Sequence, residues 1–174
     1  MIDRIRVSDE NITTIEVDAI VNAANSALSG GGGVDGAIHR AAGPELLREC
    51  LSLGHCPTGS AVVTQGYELP AKWVIHAVGP VWSGGGRGEA DQLRSAYRSS
   101  LALARERGFH SIAFPAISCG AYRYPVDEAA SIAVREVASF LSPTEPPTLV
   151  ILSCFEPQVE RAYRRALDDL AQEL

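Results

Sequence analysis

The chain has 174 residues, 46% of them hydrophobic and 21% charged, with a mean hydropathy of +0.04. These values exclude a disordered or collagen-like chain and fit one globular domain over residues 1–174. The 15 Lys+Arg against 21 Asp+Glu leave a net charge of −6 and a pI near 5.2, which speaks against a non-specific nucleic-acid binder, since such a protein draws its affinity from a basic stripe on phosphates.

The N-terminal segment carries Asp3, Arg4, Arg6, Asp9 and Glu10 and no apolar stretch of the kind a secretory signal needs. No apolar run approaches the ~20 residues that cross a bilayer, so a cytoplasmic protein is expected. The first continuous apolar run covers residues 19–21, and others follow at 61–63, 73–78, 112–114 and 149–152. Continuous rather than alternating runs predict strands covered on both faces. Between them lie helical patterns. Ile38, Ala41, Ala42 and Leu46 share one face, and Leu93, Ala96, Tyr97, Ser100, Leu101 and Ala104 repeat at the 3, 4 spacing. A third stripe is Ala130, Ala133, Val134, Val137 and Leu141, preceded by Asp127 and Glu128 where a helix dipole favours them. The last is Val159, Ala162, Tyr163, Ala166, Leu167 and Leu170. Strands alternating with helices imply a three-layer α/β domain.

Of the 16 glycines, nine fall in two clusters, at residues 30–36 and 84–88. The first follows a buried strand and opens a helix, the place where ligands bind in open α/β sheets. Consecutive glycines let backbone N–H groups approach an anion closely, and the helix start adds its dipole. Residues 22–39 contain no Lys or Arg, so a phosphate bound there would be held by main chain. The loop is neither a P-loop nor a dinucleotide fingerprint in its usual place. It carries Asn25, Asp35 and His39. Asp35 reads as a general base or as a helix N-cap, Asn25 as a ribose ligand or a turn residue, and His39 as a support for Asp35 or a structural histidine. A second loop, residues 115–125, also joins a buried strand to a helix, and Tyr122 or Tyr124 could offer a flat face to a ribose or base. Residues 83–88 lack a partnering aspartate or asparagine and read as a mobile connection. Cys50, His55 and Cys56 are close in sequence but match no common zinc spacing.

The segments VDAIVNAAN at residues 17–25 and GGGGVDGAIHRAAGP at residues 30–44 resemble the macrodomain family, specifically its MacroD-type ADP-ribosyl hydrolases. The likeness continues through residues 58–61, 69–80 and 118–125. It implies an α/β/α sandwich around a mixed, mostly parallel sheet, with ADP-ribose in a cleft across the strand ends. It also implies hydrolysis of O-acetyl-ADP-ribose and of mono-ADP-ribose esters on Asp or Glu side chains, with no metal and no cofactor. The partners it implies are ADP-ribose and its esters and mono-ADP-ribosylated proteins, with no membrane and no nucleic acid beyond ADP-ribosylated ends; a monomer is expected. Position by position, Asp35 corresponds to the residue that activates water and Asn25 to the one that orients the ribose. Gly32, Gly33 and Val34 would line the diphosphate and proximal ribose from one side, and Ser118, Cys119, Gly120, Ala121 and Tyr122 would close from the other. Ile12 and Phe155 match positions flanking adenine. The same fold also serves non-catalytic readers of ADP-ribose, which commonly lack the Asp/Asn pair.

Three positions depart from the family pattern. Asn11 stands in Glu10-Asn11-Ile12-Thr13 where Gly-Asp-Ile-Thr is usual, so the adenine amino group would meet a carbonyl rather than a carboxylate, losing roughly half of a charge-assisted bond. Cys119 replaces a threonine and adds an oxidisable group. Arg123 stands where glycine is usual and sets a long cation beside the phosphate loop.

Overall fold

Side chains on a strand point alternately to opposite faces, and this period assigns each buried residue to one of two layers. In the computed structural model, which describes residues 1–174, six strands and five α-helices follow one another, singly or in pairs, along the chain. They are β1 (Ile5–Ser8), β2 (Ala19–Ala23), α1 (Gly33–Ala42), α2 (Pro44–Leu53), β3 (Ala61–Gln65) and β4 (Trp73–Ala77), then α3 (Glu89–Arg107), β5 (Ser111–Pro115), α4 (Val126–Phe140), β6 (Leu149–Ser153) and α5 (Pro157–Glu173). The sheet runs β1-β6-β5-β2-β4-β3, parallel throughout except for β3, which pairs antiparallel with β4. Ala19 and Val21 of β2, Ile75 and Ala77 of β4 and Ile112 and Phe114 of β5 pack with α3, α4 and α5. Ile20, Val74 and Ala113, one residue out of phase, pack with Ile38 of α1 and Leu46 and Cys50 of α2. This is the three-layer α/β/α sandwich around a mixed, mostly parallel sheet. The loops after β1, β2, β4, β5 and β6 gather at its carboxyl edge. No helix is long and apolar enough to cross a membrane.

The structure departs from the expected elements in four places. β1 is an edge strand whose sequence, with Arg6 exposed, carries no continuous apolar run. The stripe from Ile38 to Leu46 belongs to two helices rather than one. Gly43, at φ +88°, ends α1 and Pro44 begins α2, while Ala41 is exposed; a left-handed glycine stops a helix and a first-turn proline starts one. Residues 61–63 are not covered on both faces, because β3 is the outer, antiparallel strand and is half-buried.

The fourth departure is the second glycine cluster, which is gathered around a buried carboxylate. Glu89 accepts from the backbone N–H groups of Ser83 at 2.8 Å, Gly85 at 3.0 Å and Arg87 at 2.7 Å. Those donors hold its carboxyl down to about 2 from the ordinary 4.5. A carboxylate lowered in the folded state stabilises fully above its unfolded pKa and loses that contribution as pH falls through the folded one. Glu89→Gln should therefore lower Tm by a constant amount between pH 5 and 7. That gap should close as pH falls from 4.5 towards 2, and a gap independent of pH in thermal melts would refute the role given to Glu89.

Candidate active site

β2 delivers the chain to the carboxyl edge of the sheet, and the glycine loop returns it into α1. Of the four consecutive glycines only Gly30 (φ +78°) and Gly33 (φ +57°) use left-handed backbone, a conformation that Leu28 (φ +55°) shares just before them. Gly36 has a different task. A Cβ there would lie 2.6 Å from the Gly31 carbonyl oxygen, so the loop can fold against the first turn of α1 only over a glycine. Gly32 is the N-cap and offers no side-chain bond, and the N–H groups of Gly33, Val34 and Asp35 donate to nothing in the protein. They form a set of free donors at a helix N-terminus.

Asp35, the third residue of α1, is only 6% exposed and is not a cap. Its side chain turns inward. Oδ1 accepts from Asn22 Nδ2 at 2.8 Å and lies 3.3 Å from His39 Nε2, one turn further along the helix. Oδ2 faces the glycine loop, since a Cβ on Gly31 would stand 3.4 Å from it and 4.0 Å from Asn25 Nδ2. Asp35, Asn25 and the glycines therefore converge, and His39 supports Asp35 directly.

Behind Asp35 runs a line of polar groups that the sequence reading did not single out. Asn22 Nδ2 also lies 3.1 Å from His76 Nδ1, and His76 Nε2 lies 2.8 Å from Thr64 Oγ1. Asn22 pairs with His76 in the β2–β4 register, and Thr64 sits diagonally across on β3. All three occupy the face that α1 and α2 cover. Burial pushes the His76 imidazole down to about 3, aided by repulsion from His39, so it is neutral. Cys50, 3.6 Å from His76 Nε2, is pushed up to about 11 by its own burial and by Asp35 and Glu49. A visible signal existed in the sequence: Asn22 and His76 are polar residues inside otherwise apolar strand runs. His55 is exposed and apart from this cluster.

Asn25 differs from the expectation that its amide is free for a ribose. Nδ2 donates to the Gly30 carbonyl at 3.0 Å, and Oδ1 accepts from Ser29 N at 3.1 Å. The side chain ties the loop together, and one amide hydrogen is left without a partner in the protein.

The loop after β5, next to β2 in the sheet, faces this site. The Ser118 side chain is already spent: the residue is buried at φ +66° and its hydroxyl donates to the Pro80 carbonyl at 2.8 Å. The N–H of Cys119 is spent on Ala116, whereas those of Gly120, Ala121 and Tyr122 are free. Burial pushes the Cys119 thiol up to about 11, which makes its reactive thiolate scarce. Tyr124 is buried against Trp82 with ring centroids 4.8 Å apart, leaving Tyr122 as the aromatic of this loop within reach of a ligand.

Asn11, Ile12 and Phe155 lie at the far end, after β1 and β6. Ser153 donates to the Glu10 carbonyl at 2.7 Å and holds the two turns together. β1 and β2 are three strand spacings apart, ~14 Å, so the groups span an elongated cleft. Phe155 is 79% exposed, a ring without a covering partner, while Ile12 is buried in the core beneath. The Asn11 carbonyl is already used, accepting from Thr13 N at 3.0 Å and Thr13 Oγ1 at 2.8 Å. What Asn11 presents outward is its NH2, a donor, which corrects the expectation of a free carbonyl.

The model of the Macro domain family matches residues 21–133. A macro domain-containing protein of Methanosarcina mazei is 56% identical over 169 residues, 97% of this chain and 90% of that protein. An O-acetyl-ADP-ribose deacetylase of Klebsiella pneumoniae is 56% identical over 161 residues, covering 90% of this chain and 92% of the relative. Among solved structures, the Oceanobacillus iheyensis macrodomain with ADP superposes with a TM-score of 0.91 at 39% identity, over 97% of this chain and 92% of that one. The Trypanosoma brucei macrodomain in complex with ADP-ribose gives 0.88 at 43% identity, over 94% and 69%. The chain belongs to the macrodomain family.

Arg123 is exposed, forms no ion pair and adopts φ +61°. A left-handed L-residue costs roughly 1–2 kcal/mol, against roughly 0.5–1 kcal/mol for the extra unfolded freedom of glycine. Arg123→Gly should thus gain between nothing and about 1.5 kcal/mol in urea unfolding. A clear loss would show that the guanidinium makes a stabilising contact.

Proposed function

We propose that this chain hydrolyses acyl esters of ADP-ribose: it deacetylates O-acetyl-ADP-ribose and removes mono-ADP-ribose from Asp and Glu side chains. The observation that carries this reading is Asp35 itself, a buried carboxylate with one oxygen bound from behind and the other aimed at the glycine loop. The names of relatives at this level of identity, such as the Klebsiella deacetylase, and the ADP-ribose held by the Trypanosoma macrodomain support the substrate class.

In this mechanism the diphosphate lies between the free N–H groups of Gly33 and Val34 and those of Gly120 and Ala121, with Gly32 and Tyr122 flanking it. Main-chain donors and a helix N-terminus serve an anion without a basic side chain. The adenine lies at the Asn11–Phe155 end and the distal ribose beside Asn25, whose spare amide hydrogen meets a ribose oxygen. Asp35 Oδ2 takes a proton from a water whose oxygen bonds to the acyl carbon. The ester C–O bond then breaks, the ribose oxygen receives the proton, and a carboxylic acid leaves. For a modified protein the acyl carbon is that of the Asp or Glu side chain, so the same step serves both substrates.

Asp35→Ala should bind ADP-ribose as the wild type does in calorimetry, yet lose on the order of 10²–10⁴ in turnover of O-acetyl-ADP-ribose and of a glutamate-linked ADP-ribosyl protein. Equal turnover by the variant would refute the assignment of the base, and wild-type binding without turnover of either ester would make the domain a reader. At the other end of the cleft, Asn11→Asp keeps an oxygen for Thr13 and replaces the outward NH2 by a second acceptor. It should tighten ADP-ribose binding by about 1 kcal/mol, roughly fivefold. Unchanged or weaker binding would show that the adenine amino group does not meet this residue.

A further inference from the structure

Asp35 is the last member of a hydrogen-bonded line in which each group has one permissible role. A primary amide nitrogen only donates. Asn22 Nδ2, 2.8 Å from Asp35 Oδ1 and 3.1 Å from His76 Nδ1, therefore gives one hydrogen to each, and His76 Nδ1 is an acceptor. The single proton of the neutral ring is then on Nε2, which donates to Thr64 Oγ1 at 2.8 Å. Thr64 spends its own hydrogen on the Gln65 carbonyl at 3.1 Å. The opposite amide orientation would set two oxygens against each other at Asp35, while the other end of the amide has no partner in the protein in either orientation, so the contact with Asp35 decides it. Cys50 Sγ, 3.6 Å and 3.9 Å from the two ring nitrogens, is too weak a partner to choose between tautomers.

We propose that His76, anchored by Thr64, is a positioning residue for the reaction: it locks the Asn22 amide so that its N–H engages Asp35 Oδ1 and leaves Oδ2 as the oxygen available for water. His76 is 1% exposed and touches no ligand; its influence passes entirely through Asn22. The logic matches that of a histidine whose tautomer is set by the bond at its other nitrogen, here turned round so that the histidine sets an amide. Without the lock the amide can rotate, and Asp35 keeps only His39 to hold its inner oxygen.

This inference rests on the proposed hydrolase reading, and its test separates the two. His76→Phe keeps a ring of similar volume without the acceptor. Thr64→Val removes the anchor of the tautomer, and His76→Gln restores an acceptor oxygen. With O-acetyl-ADP-ribose as substrate, His76→Phe should lower kcat on the order of 10–10²-fold while KM and the ADP-ribose Kd stay within about twofold, the signature of misplacement rather than lost binding. Thr64→Val should shift kcat alone in the same direction, by less, and His76→Gln should recover most of the loss. Independently of activity, ¹⁵N-histidine spectra of the wild type at pH 7 should show His76 with a pyridine-like Nδ1 and a protonated Nε2, and Thr64→Val should weaken that preference. A protonated Nδ1 in the wild type overturns the inference. So does an unchanged kcat in both Thr64→Val and His76→Phe, or a parallel fall of kcat, affinity and Tm without rescue by glutamine. If His76→Phe does not fold, Thr64→Val and His76→Gln decide it. If the wild type turns over no ester, the functional reading fails, while the nitrogen spectrum still decides the wiring.

Discussion

The hydrogen bond from Asn22 to Asp35 joins the middle of the sheet to the first turn of the helix that covers it, and the geometry of the site depends on it. It exists because strand alternation sends Asn22, along with Ile20, to the α1 face, while helical period turns the third residue of α1 back towards the sheet. A buried polar group without a partner costs about 1–3 kcal/mol, and this bond, with His39 on one side and His76 on the other, keeps both residues paired. The bond in turn requires α1 to begin close above β2. Gly36 makes that approach possible by leaving room for the Gly31 carbonyl. A loop that must be tight, a helix that must start at a given height and a carboxylate that must face inward are one constraint met at three places.

On the proposed reading, the same arrangement explains how an acidic protein handles an anionic ligand. The donors at the α1 N-terminus and in the loop after β5 are backbone N–H groups, held by two loops that follow adjacent strands, β2 and β5. They work because nothing in the protein satisfies them. Ser118 contributes by a different route from the one its position suggests: its hydroxyl fastens the loop to Pro80, and a Cβ on Gly79 would collide with that hydroxyl at 2.3 Å. The second glycine cluster likewise owes its order to Glu89, one residue past its end.

Much of the candidate site was legible in the sequence because its signals are local. Gly32, Gly33, Val34 and Asp35 sit in one uninterrupted motif, and a run of glycines opening a helix has few structural alternatives. Asn25 and Asp35 were legible as a pair, but not the fact that the Asn25 amide is already bonded to Gly30 and Ser29. The same limit applies to Asn11, whose residue type leaves donor and acceptor equally open until the turn claims the carbonyl. Tyr122 and Tyr124 look alike in sequence, and only packing against Trp82 removes the second from the cleft.

By itself the sequence determined the alternation of strands and helices, the two-layered cover of the sheet and the loops where a ligand can lie. Periodicity and glycine content act over a few residues and leave their mark in composition. Tertiary structure alone decided the partnership of Asn22, His76 and Thr64, which are 54 and 12 residues apart along the chain and meet only through strand register. It also decided which oxygen of Asp35 is spent and which is free, because a hydrogen bond depends on the direction of a donor that no local pattern encodes.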